Sequence, residues 1–248
     1  LELSRQYRFF LPGDYDVGTT LTLDSERSSY LCRVLRLREG TSLEIFPGDG
    51  SAFGCRLVDA NPRRAQLHVA HQETSAKSSG PSLHLAIALL KGSAMDRALQ
   101  QATELGASHL HLIRAQRSNV PLTSDRLDSK LLHWERIIAS ACEQSGRRSV
   151  PKLQAPGTLA EVWAAMAPCP LLIAFEPEGE TLPMTLSPEP CGIFIGPEGG
   201  WSEDERAWLS EKSVNQYQLG NTILRAETMP AVALALIQHA QGWRSPSA

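Results

Sequence analysis

FIGPEGGWSEDE, Phe194–Glu205, decides how the second half of this chain is read. It runs from an apolar strand into a glycine-rich corner and then into a helix start. Strand, flexible corner and helix make the repeating unit of an open α/β sheet, whose ligands gather outside the carboxyl ends of the strands. Ser202 and Glu205 have the Ser-x-x-Glu spacing of a capping box. Glu203, Asp204 and Glu205 complement the positive end of the helix dipole, and so occupy the place an anion would take.

The same alternation extends on both sides. LHLAIALL, HLHLI, VPKLQ, PLLIAF, CGIFIG and YQLG read as six strands from Leu83 onward. Ser93 is placed to cap a helix with the apolar face Met95, Ala98, Leu99, Ala102 and Leu105, and Gly106 stops it. A long helix spans about Leu127 to Ser145. Thr158 and Glu161 form a second capping box ahead of Trp163, and a last helix begins near Thr228 with Pro230 in its first turn. Strands alternating with helices predict an α/β fold, a parallel sheet covered on both faces.

Residues 1–72 have another rhythm. TSLEIF and SAFGCRLV flank PGDG at Pro47–Gly50, a hairpin signal, and AQLHVA follows a second turn at Asn61–Pro62. YRFFLPG and TTLTL precede them. Short strands with frequent turns predict a small β-barrel. SERSSYLCRVLRL reads as a short helix with Leu31, Val34 and Leu35 inward and Arg33 and Arg36 on the other side. Residues 73–82, ETSAKSSGPS, read as a linker, leaving 83–248 as the second domain.

The 248 residues are 42% hydrophobic and 21% charged with a formal net charge of −3, so a bulk-basic nucleic-acid binder is excluded. The basic residues are nevertheless skewed. Residues 1–72 hold nine arginines and no lysine, offset by nine acids. Arginine suits bidentate phosphate contacts, although solvated surface charge accounts for the same pattern. No apolar run is long enough to span a membrane and no signal peptide is evident, so a cytoplasmic protein is expected. Five scattered cysteines without a Cys-x-x-Cys pair predict buried thiols rather than disulfides. His84, His109, His111, His133 and His239 lack ligand spacing, so no metal is expected.

Three turns sit where the sheet would bind a ligand: Glu176-Pro177-Glu178-Gly179 after PLLIAF, Gly196-Pro197-Glu198-Gly199-Gly200, and Leu219-Gly220-Asn221-Thr222-Ile223-Leu224-Arg225. Neither a phosphate-binding GxxxxGK[ST] loop nor a GxGxxG fingerprint on the first strand is present. Glu198 and the acids behind it oppose a phosphate. The pattern favours a neutral or cationic ligand bound through backbone groups, and S-adenosyl-L-methionine fits. The alternative, a tight turn whose Glu198 only bonds neighbouring amides, stays open at this point.

Four separated motifs, KGSAMDRALQQATELG (91–106), EQSGRRSVP (143–151), IGPEGGWSEDE and LGNTILRAET (219–228), resemble the RsmE family, bacterial 16S rRNA uridine N3-methyltransferases of the SPOUT superfamily. RQYRFF and RVLRLREG are similar to that family's PUA-like RNA-binding domain. Trp201, Gln116, Thr222, Met229 and Tyr30 depart from its usual residues. The resemblance implies a deep trefoil knot in the α/β domain, a PUA-like β-barrel at 1–72, and a homodimer with each cleft lined partly by the partner. It implies methylation of a decoding-region uridine of 16S rRNA in the small ribosomal subunit. It also implies S-adenosyl-L-methionine bound by Phe175, Glu176, Ile195, Gly196, Pro197, Glu198, Gly199, Gly200, Leu219, Gly220, Ile223 and Leu224.

Removing the N3 proton of uracil leaves negative charge on the ring, which a fixed cation stabilises. Arg225, directly after the third turn, is the candidate; pairing with Glu227 or Glu198 is its alternative role. Glu143 and Glu198 are the candidate bases. Arg5, Arg8, Arg33 and Arg36, joined by Arg114, Arg117, Arg147 and Arg148, are the expected RNA contacts.

Overall fold

A computed structural model describes residues 7–73, 80–120 and 124–242. The chain divides into two units, Leu1–Lys77 with Cys142–Val150, and Ser78–Ala141 with Pro151–Ala248. Residues 74–79 of the expected linker lie outside the described residues.

The first unit is a five-stranded sheet of β1 (Tyr7–Phe10), β2 (Thr20–Thr22), β3 (Ser42–Phe46), β4 (Phe53–Asp59) and β5 (Gln66–Gln72), in the order β1-β3-β4-β5-β2. β1 runs parallel to β3 and the other pairs are antiparallel. Among the described residues no ladder joins the edge strands β1 and β2, so the backbone hydrogen bonds do not close the expected barrel. Leu31, Leu43, Ile45, Leu57, Leu67 and Val69 fill its core.

Two sequence expectations change here. After helix α1 (Ser25–Ser29) the chain makes a π-helical turn, Tyr30–Val34, closed by the Leu35 amide on the Tyr30 carbonyl. The wider turn rotates Val34 off the inner face, leaving it 65% exposed, and Leu37 is buried instead. Residues 142–150, expected in the second domain, belong to the first unit. The β3–β4 loop holds them: the Val150 amide donates to the Gly48 carbonyl at 2.9 Å, and the Gly50 amide donates to the Arg148 carbonyl at 3.2 Å. Phe46, Ala52 and Cys142 are buried together there.

The second unit is a parallel six-stranded sheet. Its strands are β6 (Leu83–Ala88), β7 (His109–Ile113), β8 (Lys152–Leu153), β9 (Leu171–Thr181), β10 (Cys191–Ile195) and β11 (Asn215–Gln218), in the order β11-β9-β10-β6-β7-β8. Every residue of β6 and β10 is buried, as both-face coverage requires. On one face α4 (Leu159–Ala165) and α5 (Glu203–Glu211) pack Val162, Met166, Trp201 and Leu209 against Ala86, Ala88 and Phe194. α2 (Ser93–Glu104) packs against α6 (Met229–Ala240), which also meets β10. Helix α3 (Ser124–Ser145) carries the chain from β7 toward β8.

Both capping boxes form as the spacing predicts. The expected Ser93 cap does not. Gly92 is the N-cap, with φ 54° and ψ −134°, a backbone conformation that suits glycine, and the Ser93 hydroxyl accepts from Arg97 Nη1. The largest change is at β9. The expected Glu176–Gly179 turn is a continuation of the strand. Ala174 pairs with Gln216 and Glu180 with Tyr217, so Phe175–Gly179 bulge out of register. Gly179 makes this close approach possible: a Cβ there would lie 2.7 Å from the Tyr217 carbonyl carbon.

His84, His109 and His111 stack at the start of β6 and β7, with His84 and His109 centroids 4.0 Å apart. His111 contacts His84 at 3.3 Å and Gln154 at 3.1 Å. Burial and the neighbouring rings pull His84 down from 6.5 to about 4. Burial also lowers His111, and burial with Lys152 lowers His109. An imidazole that stays neutral in the folded state while the unfolded chain takes a proton destabilises the fold in acid. Stability is therefore expected to be independent of His84 above pH 6.5 and to fall between pH 6.5 and about 4. Urea unfolding of His84→Asn across that range should show a shallower loss than the parent chain.

Candidate functional site

The parallel sheet brings the ends of β9, β10 and β11 to one edge, where the second unit has a cavity of about 900 Å³. Its wall contains all twelve residues singled out from the three glycine-bearing segments: Phe175, Glu176, Ile195, Gly196, Pro197, Glu198, Gly199, Gly200, Leu219, Gly220, Ile223 and Leu224. Arg225 lines it as well. Pro177, Asn221 and Thr222, from the same expected turns, line it too, and Ala94, Arg206, Gln218, Ala226, Glu227 and Met229, which the sequence did not point to as cavity residues, complete it. Arg206 was findable, since it lies one helical turn beyond Ser202 and so returns to the α5 N-terminus. Ala94 carried no signal, because it reaches the cavity from α2.

Each segment is held by chemistry outside itself. In the second turn the Gly200 amide donates to the Pro197 carbonyl at 2.9 Å, and Gly200 has φ 67°, the left-handed region. Among the described residues Glu198 makes no side-chain hydrogen bond within its own loop. Its Oε1 accepts the Lys91 amide at 3.3 Å, from the turn after β6. Arg117 Nη1 donates to the Gly199 carbonyl at 3.2 Å. Buried Glu205 serves two elements: Oε2 accepts the Ser202 amide at 2.9 Å, and Oε1 accepts the Gln116 amide at 2.8 Å. One carboxylate thus fixes both the α5 start and the segment after β7.

The charges on the wall differ in their partners. Glu227 pairs with Arg97 at 3.0 Å, and its own backbone and Arg97 lower its carboxyl. Arg225 is exposed and makes no ion pair within 4.0 Å among the described residues; its charge acts on Glu227 only at longer range, as the smallest of the influences that lower that carboxyl. Glu176 is buried. Burial raises its carboxyl, with Arg206 opposing and Glu178 adding. Ile223 is 90% exposed on the third segment.

Other candidates fall elsewhere. Glu143 belongs to the first unit, where its Oε1 accepts the Phe10 amide at 2.9 Å, and it is not among the lining residues of the cavity. Arg8 and Arg148 flank Glu44, which is 1% exposed, at 3.5 and 2.6 Å, and are tied into that unit's structure. Arg147 is half-buried, and burial lowers its guanidinium. Arg33, Arg36, Arg114 and Arg117 are exposed, and Arg5 lies outside the described residues. Among the described residues no cluster of histidine, cysteine, aspartate or glutamate could hold a metal, and no helix is long and apolar enough to cross a membrane.

Comparison with known proteins adds to this geometry. The profile of an RNA methyltransferase domain matches residues 77–238, and that of an RNA methyltransferase PUA domain matches 23–70. The ribosomal RNA small subunit methyltransferase E of Synechocystis is 31% identical over 239 residues, covering 93% of this chain and 77% of that protein. A putative methyltransferase of Legionella pneumophila, solved with bound cofactor SAM, superposes with a TM-score of 0.89 at 30% identity, over 95% of this chain and 98% of the other. The ribosomal RNA small subunit methyltransferase E of Neisseria gonorrhoeae, bound to S-adenosyl methionine, gives 0.85 at 30% identity, over 94% and 97%.

Glu205 and Thr158 cap helices of the same unit with different reach. Glu205→Ala strands two backbone amides and is expected to cost about 2–3 kcal/mol. Thr158→Ala, at an exposed box, is expected to cost about 1 kcal/mol. Urea denaturation of both variants checks the ordering; equal costs would show that the Gln116 bond adds nothing.

Proposed function

We propose, for a chain that belongs to the ribosomal RNA small subunit methyltransferase E family, that its second unit methylates N3 of a uridine in 16S rRNA, using S-adenosyl-L-methionine, on the small ribosomal subunit. The observation that carries this reading is the cavity itself. Three segments rich in accessible backbone converge on it, and its wall combines carboxylates with guanidiniums and presents no phosphate loop. That donor set fits an adenosine read by main-chain groups and a cationic, amino-acid-bearing tail. When bound, the cofactor supplies a methyl group on a positively charged sulfur.

The residues of the chain then have separate tasks. The second and third segments orient the donor through backbone groups, and holding two reactants in line supplies much of the rate. N3 must lose its proton before it forms the new carbon–nitrogen bond, and the ring's negative charge spreads over its carbonyl oxygens. Arg225 carries a guanidinium without an ion-pair partner among the described residues on the cavity wall, suited to face those oxygens.

The same reading includes a trefoil knot in the second unit, a PUA-like barrel built on the five-stranded sheet, a decoding-region uridine as target, a cytoplasmic location and a homodimer. Support for the dimer comes from α6. It is apolar nearly all round, and Ala231, Val232, Ala235 and Leu236 are candidates for the covered face. All four are only partly buried in the single chain. Exposed Ile223 on the cavity rim suits a wall completed by a partner. For RNA, the exposed Arg33 and Arg36 lead, with Arg114 and Arg117 in the second unit; Arg8, Arg147 and Arg148 contribute only what their structural roles leave free.

Nucleoside mass spectrometry of 16S rRNA from a strain lacking the gene should show the loss of one N3-methyluridine, restored by the intact gene. Arg225→Ala is expected to lower the single-turnover rate about a hundredfold while leaving cofactor affinity little changed. An unchanged rate removes Arg225 from this role. Replacing Arg33 and Arg36 by Ala should reduce the salt slope of subunit binding by about 1 for each phosphate that the arginine neutralised. A slope equal to that of the parent chain would place the docking surface elsewhere.

A further inference from the structure

Three carboxylates and two guanidiniums line the cavity: Glu176, Glu198, Glu227, Arg206 and Arg225. Glu198 is occupied by the Lys91 amide and Glu227 by Arg97. Glu176 stands apart. It is 9% exposed, and its carboxylate accepts no hydrogen bond among the described residues. The nearest cation, Arg206 Nη1, is 4.0 Å from Oε2 and donates to the Trp201 carbonyl. A buried ionised group without donors is unfavourable, and buried polar groups as a rule have partners. Here the open side is the cavity, so whatever fills the cavity, water or a ligand, is the partner of this carboxylate.

Its place in the sheet narrows the ligand. β9 lies between β10 and β11, so Glu176 falls between the Gly196–Gly200 turn and the Leu219–Arg225 segment. The bulge that Gly179 permits puts it there. A molecule spanning those two segments crosses Glu176. With the donor proposed above, the feature that changes in the reaction is the charge on sulfur. The donor carries a sulfonium. The product, S-adenosylhomocysteine, carries a neutral thioether and differs otherwise by one methyl group.

We propose that Glu176 makes the cavity selective for the cationic sulfur of the donor over the neutral thioether that remains after methyl transfer. The inference rests on the reading of the cavity as an S-adenosylmethionine site and adds to it a residue that sets specificity. A negative charge on a side chain as buried as Glu176 favours a nearby cation more than it would in bulk water. The same interaction lapses when the methyl leaves, so product is held less firmly than substrate.

Calorimetric titration of the full chain with S-adenosylmethionine and S-adenosylhomocysteine tests this. The parent chain should prefer the sulfonium by about tenfold, and Glu176→Gln should hold the thioether as before while its preference shrinks to about twofold. Glu176→Asp, which keeps the charge, should retain the preference. In the parent chain the preference should decline as pH falls through the titration of Glu176, because protonation removes the charge. That arm needs no variant, and a preference constant with pH overturns the proposal. An unchanged preference in Glu176→Gln overturns it too. Failure of the parent chain to bind either compound would instead sink the underlying reading of the cavity.

Discussion

Between Gln216 and Tyr217 the partner of β11 on β9 jumps from Ala174 to Glu180, and the intervening Phe175–Gly179 are forced out of the ladder. The jump is possible only because Gly179 lies against the β11 backbone without a side chain. Much of the site follows from it. The bulge lifts Phe175, Glu176 and Pro177 into the wall of the cavity, between the two glycine turns on either side. An unbroken β9 would keep its residues alternating between the two faces of the sheet, covered by helices, with no carboxylate at the strand ends.

Around that wall, backbone groups are satisfied by side chains from distant parts of the chain. Glu198 reaches the Lys91 amide, Glu205 the Gln116 amide, and Arg117 the Gly199 carbonyl. These bonds connect the segments after β6, β7 and β10. The acids of FIGPEGGWSEDE are therefore of two kinds. Glu205 is structural, whereas Glu198 both braces the neighbouring turn and lines the cavity. Glu203 and Asp204 join Glu205 in the first turn of α5 and complement its dipole.

What was legible in the sequence was local. Capping boxes at Thr158 and Ser202, the buried runs of β6 and β10, and the glycine turns at Gly196–Gly200 and Leu219–Arg225 each depend on residues within a few positions of one another. What was not legible depends on partners far along the chain. The β9 bulge needs β11 for its register. Glu143 looked available as a base until Phe10 took its carboxylate, and Arg8 and Arg148 looked like free cations until Glu44 lay between them. Residues 142–150 belong to the first unit through bonds to the β3–β4 loop, about a hundred positions away, which no spacing rule reports. Val34 misled because a π-helical turn shifts the face that a 3.6-residue period assigns.

The cavity at the ends of β9, β10 and β11 is read here as built for a cationic methyl donor rather than for a phosphate-bearing dinucleotide. Calorimetric titration of the purified chain with S-adenosylmethionine and with NAD separates the two. Saturable binding of S-adenosylmethionine is predicted, abolished when Gly220 is replaced by valine, together with no binding of NAD. Binding of NAD, or S-adenosylmethionine binding that the Gly220 substitution leaves intact, would contradict this reading.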